Sequence, residues 1–312
     1  MTGAGPGLRA WALLLLLGLI FGSSFMFTNI VVREIPPLTL AAFRLAFAAA
    51  LLFAAVAATG ARLPRIGGAG GRLWAIAAFS ALFGTLLPFW LISWSQVHIP
   101  SALTALLMAP MPMVSLILSH FLIKGERMTA PRIAGFFAGF IGVALLIGPE
   151  AFGMIGGWDF RLLGQLASLG AMLCYALNGI VLKRAGPVDP LGMSAAVIGV
   201  GALVGVPLAL WVEAPDLGAF SATSWALAAA LGLGATAMAQ IIMLALLALA
   251  GPPFLASVNY QVPLWAAAFG VFFLGEALDP AFPLAMGLIL AGLALAQFGG
   301  RRRAASPGAA RD

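Results

Sequence analysis

Ten apolar stretches, each close to 20 residues and each ended by Pro, Gly or a charged cluster, occupy most of this 312-residue chain. A helix of about 20 apolar residues spans the hydrocarbon core of a bilayer. Composition agrees: 62% of the residues are hydrophobic and 8% charged, where a soluble domain carries roughly 25% charged residues. Such a chain has too few polar groups to cover itself in water. The pattern predicts an all-α integral membrane protein with spans at 10–28, 38–58, 73–95, 101–123, 131–148, 161–183, 191–212, 223–249, 254–274 and 280–299. The N-terminal stretch, Met1 to Phe21, mimics a signal peptide, with Arg9 before an apolar run. It lacks a clean small-residue cleavage site and reads as the first span.

The stretches form two sets of five. Leu274-Gly275-Glu276-Ala277-Leu278 echoes Lys124-Gly125-Glu126-Arg127-Met128, and Gly292 follows Gly142 at the same offset of 150. Asn29 before Val31-Val32-Arg33 is echoed by Asn178 before Val181-Leu182-Lys183, and Pro37-Leu38 by Pro190-Leu191. Five is odd, so the second set threads the membrane upside down relative to the first. The expected units are 1–149 and 150–300, with a basic tail at 301–312. Lys and Arg gather in cytoplasmic loops. With the N-terminus inside, 13 of the 16 basic residues fall inside, Arg33 and Arg161 fall outside, and Arg44 lies within the second span. The outer loops carry Glu34, Glu150, Asp159, Glu213, Asp216, Glu276 and Asp279. Both ends come out cytoplasmic. Thr129 is placed to cap the fifth span and Asp279 the tenth.

These features exclude several classes. The net charge of +6 is a topology signal rather than a nucleic-acid surface. Cys174 is the only cysteine, so no intrachain disulfide forms. With one Cys, two separated His and no acid within a span, no metal or cofactor site and no enzyme chemistry is expected. A channel would need a polar stripe or a charged ring, and the spans are too apolar for either.

The chain resembles the drug/metabolite transporter superfamily, and within it the EamA-type exporters. The resemblance rests on Leu19-Ile20-Phe21-Gly22-Ser23-Ser24-Phe25, on Glu34-Ile35-Pro36-Pro37-Leu38 with Arg44, and on two stretches from Pro112 to Gly125-Glu126 and from Pro263 to Gly275-Glu276. It covers about residues 10–299, and the order and duplication of the motifs make it specific. It departs in one place: Pro112 lies one residue further from its Gly-Glu than Pro263 does. The resemblance implies ten helices as two inverted five-helix repeats around a central cavity, and export of small metabolites, often amino acids, across a bacterial inner membrane. Drugs and organic cations are cargo of the same fold, so that alternative stays open.

In such carriers the site lies near the midplane, where interrupted helices of the two halves meet. Pro110 and Pro112 in the fourth span and Pro263 in the ninth are the expected breaks, because a mid-helix proline frees a carbonyl one turn back. Beside Pro263 stand Asn259, Tyr260 and Gln261, polar side chains that line a pocket or bond a neighbouring helix. Trp90 and Trp94 share a face of the third span, as a pocket wall or as an interfacial belt. Tyr175 and Asn178 in the sixth span, Ser24 in the first, and Thr236 with Gln240 in the eighth complete the polar set. Arg44 either binds a cargo carboxylate, or snorkels outward or pairs with Glu34, the cheaper arrangement. Gly18 with Gly22, and Gly135 with Gly139, make two G-x-x-x-G spacings for packing within the subunit or in a homodimer. The absence of an intramembrane carboxylate predicts a facilitator or exchanger rather than a proton-coupled pump.

Overall fold

The computed structural model describes residues 6–65, 67, 70–122, 128–148 and 159–298. Lys124, Gly125, Glu126, Arg127, Glu150 and the tail 301–312 lie outside them. The described residues form helices α1 (Leu8–Val31), α2 (Pro37–Thr59), α3 (Gly70–Ala81), α4 (Leu87–His98), α5 (Ser101–Met108), α6 (Met111–Leu122) and α7 (Ala130–Ile147). They continue with α8 (Phe160–Lys183), α9 (Pro190–Val212), α10 (Ala222–Gly232), α11 (Ala239–Leu255), α12 (Val258–Leu274) and α13 (Phe282–Phe298). π-helical turns at Leu82–Leu86 and Leu233–Met238 join α3 to α4 and α10 to α11 without a break in the rod.

Eight helical runs are long and apolar enough to cross a membrane. α12 and α13, at the ninth and tenth expected stretches, are apolar helices of 17 residues, about 26 Å at 1.5 Å per residue. The ninth is shortened at its start. Gly251 adopts φ 76°, Pro252 and Pro253 follow, and a turn at Ala256–Ser257 precedes α12. Side chains such as Trp211, at 81% exposure, and Phe272, at 82%, project from the bundle. Apolar groups so placed require a lipid surround.

The principal packing pairs are α1 with α12, α2 with α9, α7 with α13 and α4 with α8. Each joins a helix before residue 149 to one after it, so the two parts share their cores. Small residues set the approach. A Cβ added at Gly22 would fall 2.3 Å from the Trp265 Cβ, and one at Gly18 would fall 2.6 Å from Gln261 Oε1. Likewise a Cβ at Gly135 would fall 2.3 Å from the Gly292 carbonyl oxygen, and Gly139 backs onto Met113. Both G-x-x-x-G spacings are therefore used within the chain.

Carboxylates tie the helix ends. Glu213 accepts the Leu38 and Thr39 amides at 3.0 and 2.7 Å, capping α2. Glu276 accepts the Ser101 and Ala102 amides at 2.7 and 3.1 Å, capping α5. Gly275 ends α12 at φ 65°, a left-handed conformation that glycine adopts at no cost. The Gly-Glu dipeptide thus stops one helix and starts another. Glu34 accepts from the Ser221 amide and hydroxyl at the same end, where Arg161 also meets Asp279 at 3.5 Å. Asp189 accepts from Leu191, Gly192 and Arg62 amides at the opposite end, and there Arg72 donates to the Arg184 carbonyl.

Three expectations are corrected. Thr129 occupies the N-cap position of α7, but its hydroxyl makes no capping bond. Asp279 holds the Ala281 amide, and α13 starts only at Phe282. Pro263 lies inside continuous α12; the break of that stretch is the turn at Ala256–Ser257. A helix tolerates proline where the carbonyl left free, here that of Asn259, is satisfied or wet. In the fourth stretch the turn at Ala109–Pro110 separates α5 from α6, with Pro112 in the first turn of α6.

Candidate functional site

The two π-helical turns are the most informative local feature. A π turn inserts one residue into the helical ladder and leaves carbonyls poorly paired; such insertions concentrate at functional sites. Each carries a threonine that rescues a carbonyl. Thr85 donates to Ala81 at 2.6 Å and Thr236 to Leu231 at 3.0 Å.

Arg44 reaches the second π turn from α2. Its Nε donates to Thr236 Oγ1 at 2.8 Å. The guanidinium carbon lies 3.9 Å from the centre of the Phe89 ring, and the side chain is only 8% exposed. A cation over an aromatic face is favourable, the more so when desolvated. Outward pairing with Glu34, the cheaper arrangement by sequence, does not occur: Glu34 is engaged with Ser221, and Arg44 turns into the bundle.

Tyr175 lies on α8, three residues before Asn178. Asn178, one turn on, meets the first π turn. A Cβ at Gly84 would lie 2.3 Å from its Nδ2, so the glycine makes room for the amide. Asn178 Oδ1 is buried and has no partner. Arg44 thus meets the second π turn at Thr236 and α4 at Phe89, while Asn178 on α8 meets the first π turn at Gly84.

The remaining expected residues are distributed elsewhere. Trp90 and Phe89 pack on the apolar core shared by α2 and α9. Trp94 stands edge-on to His98 at 4.5 Å, and His98 stacks on Phe160 at 5.1 Å, a cluster at the helix ends. Ser24 donates to its own helix at the Phe21 carbonyl, 2.7 Å away. Asn259 donates to the Ala256 carbonyl at 2.9 Å, which closes the turn before α12. Tyr260 packs with Met113, Leu293 and Ala296, away from Arg44's neighbours, and its buried hydroxyl has no partner. Gln261 faces α1 at Gly18, with Oε1 unpartnered. Gln240 bonds Ser194 at 3.0 Å, joining α11 to α9.

Gln96 carries weight that its sequence context did not reveal. It is 4% exposed and both amide atoms are unpartnered. It borders a shallow cleft with Asn29, Arg33, His98 and Glu276. The π turns were also missed, although Gly84-Thr85 and Gly234-Ala235-Thr236 recur near the 150 offset and could have marked them. Among the described residues no cluster of His, Cys, Asp or Glu could hold a metal ion.

The EamA-like transporter family matches the chain twice, over residues 8–148 and 162–298. The chain belongs to the EamA-like transporter family. It is therefore a multi-pass membrane transporter of the drug/metabolite superfamily. A protein solved by crystallography shares its fold with a TM-score of 0.67 at 21% identity, over 96% of this chain and 99% of that one. No curated protein matches in sequence. Each family-matched stretch contains one π turn, so the Arg44 neighbourhood joins equivalent helices of the two copies.

Proposed function

We propose that this EamA-like transporter exports small metabolites, amino acids or related compounds, from the bacterial cytoplasm by alternating access. The carrying observation is the pair of π turns, one per family-matched stretch, each met by a polar side chain from another helix: Thr236 by Arg44 and Gly84 by Asn178. π turns inside α-helices are frequent at functional sites, which suits a gate. Two inverted five-helix repeats, ten spans and cytoplasmic ends complete the reading. The packing of α1, α2, α4 and α7 each against a helix of the second stretch supports it.

No described helix carries an acid in its membrane-spanning part, so transport runs on the cargo's own gradient. In proteoliposomes loaded with unlabelled amino acid, labelled amino acid should enter by saturable counterflow, with the rate unchanged by a protonophore. Flux that stops on adding the protonophore would overturn the coupling. No saturable counterflow with any amino acid would overturn the cargo class.

A further inference from the structure

A buried cation without a counter-ion is expensive in a membrane, and such residues mark cargo or ion sites. Arg44 is such a cation. Its flat face is covered by Phe89 and its Nε is used by Thr236. The two terminal nitrogens have no acceptor, and the guanidinium no carboxylate, among the described residues. What is left free is the edge that grips a carboxylate with two parallel N–H···O bonds. On α8, Asn178 sits against the first π turn at Gly84, and its buried Oδ1 is an acceptor without a donor.

We propose that the cargo is a carboxylate, docked on the free edge of the Arg44 guanidinium, and that organic cations lacking a carboxylate are rejected by that charge. Where the cargo also carries an ammonium, Asn178 Oδ1 accepts it. This deepens the reading above and rests on its assignment of the Arg44 cluster as the cargo site. Each of the two side chains contacts one π turn, Arg44 through Thr236 and Asn178 through Gly84.

Thermal unfolding of the purified full chain in detergent tests this, since ligands that bind the folded form raise its melting temperature. The probes are L-phenylalanine, 3-phenylpropionate, L-phenylalaninamide and phenethylamine, with L-alanine, propionate, L-alaninamide and ethylamine as the small set. The acids and amino acids of at least one set should raise the melting temperature of the wild type, and its amide and amine should not. Arg44→Gln should weaken the carboxylates at least tenfold, and Arg44→Lys should retain part of the binding. Asn178→Ala should weaken the amino acid but spare the simple acid. Should Arg44→Gln fail to fold, the wild-type comparison of acid with amine still decides. Amine binding as tight as acid binding, no response to any probe, or a folded Arg44→Gln that binds carboxylates as before would each overturn the anchor. Saturable flux of an amine would sink the anchor and leave the transporter; absence of flux for every probe would sink the reading beneath it.

Discussion

At the residue scale, the decisive contact is Thr236 with Arg44. One hydroxyl accepts from a buried guanidinium and donates to the Leu231 carbonyl just before the π turn, so its loss removes a partner from two polar groups inside the bundle. A bond to a charged group contributes roughly 1.5–3 kcal/mol. Thr236→Val should therefore lower stability by about that amount, measured by thermal unfolding in detergent. Thr236→Ser, which keeps the hydroxyl, should lose less than half as much. Arg44 was visible in the sequence as the one charge deep in a span, but its direction was not. A long side chain near a helix end can snorkel or turn inward, and only the position of Thr236 and Phe89 chooses. Tyr260 is a second case: the sequence marked its polar character, and the register of α12 sets its ring on Met113 and Leu293 with the buried hydroxyl unpartnered.

At the scale of elements, helix ends are fixed by carboxylates that sit far away in sequence. Asp189 caps α9 locally through Leu191 and Gly192 and also holds the Arg62 amide. The Gly192 amide, then the Arg62 amide, keep its carboxyl below the usual aspartate range. A carboxyl whose pKa is lower folded than unfolded stabilises above its unfolded pKa, and that contribution is lost as pH falls through the folded value. Asp189→Ala should thus cost about 1 kcal/mol at neutral pH, as for a lost cap. The gap to wild type should close on acidification below about pH 4, followed by denaturant titration. Glu34 behaves with the same sign, held low first by the Ser221 hydroxyl. The local cap at Asp189 is a sequence pattern. The distant caps by Glu213 and Glu276 are not, because nothing in a linear chain says which amides a loop carboxylate will meet.

At the scale of the whole molecule, two ends are distinct. One gathers Glu34, Glu213, Glu276, Arg161 and Asp279 against helix starts, and the other gathers Arg62, Arg72, Arg184 and Asp189. These are the groups that basic-residue bias assigns to opposite sides of the membrane. Cys174 is buried, so Cys174→Ser provides a background for single cysteines. A membrane-impermeant maleimide added to intact cells should label D216C and spare G186C. Tags on both chain ends should remain inaccessible from outside. Labelling of G186C, or ends found on different sides, would overturn the proposed inverted pairing and the proposed alternating access with it.

The amino-acid sequence by itself determined the class of solvent, the helical stretches and the duplication, because each follows from local hydropathy, breakers and recurrence along the chain. It also marked Arg44, Tyr175 and Asn178 as out of place in lipid. Tertiary structure alone showed that the ninth stretch breaks at Ala256–Ser257 rather than at Pro263, and that two other rods carry π turns. The π turns are met across helices by Arg44 at Thr236 and by Asn178 at Gly84, where side chains from elsewhere in the chain compensate a weakened backbone ladder.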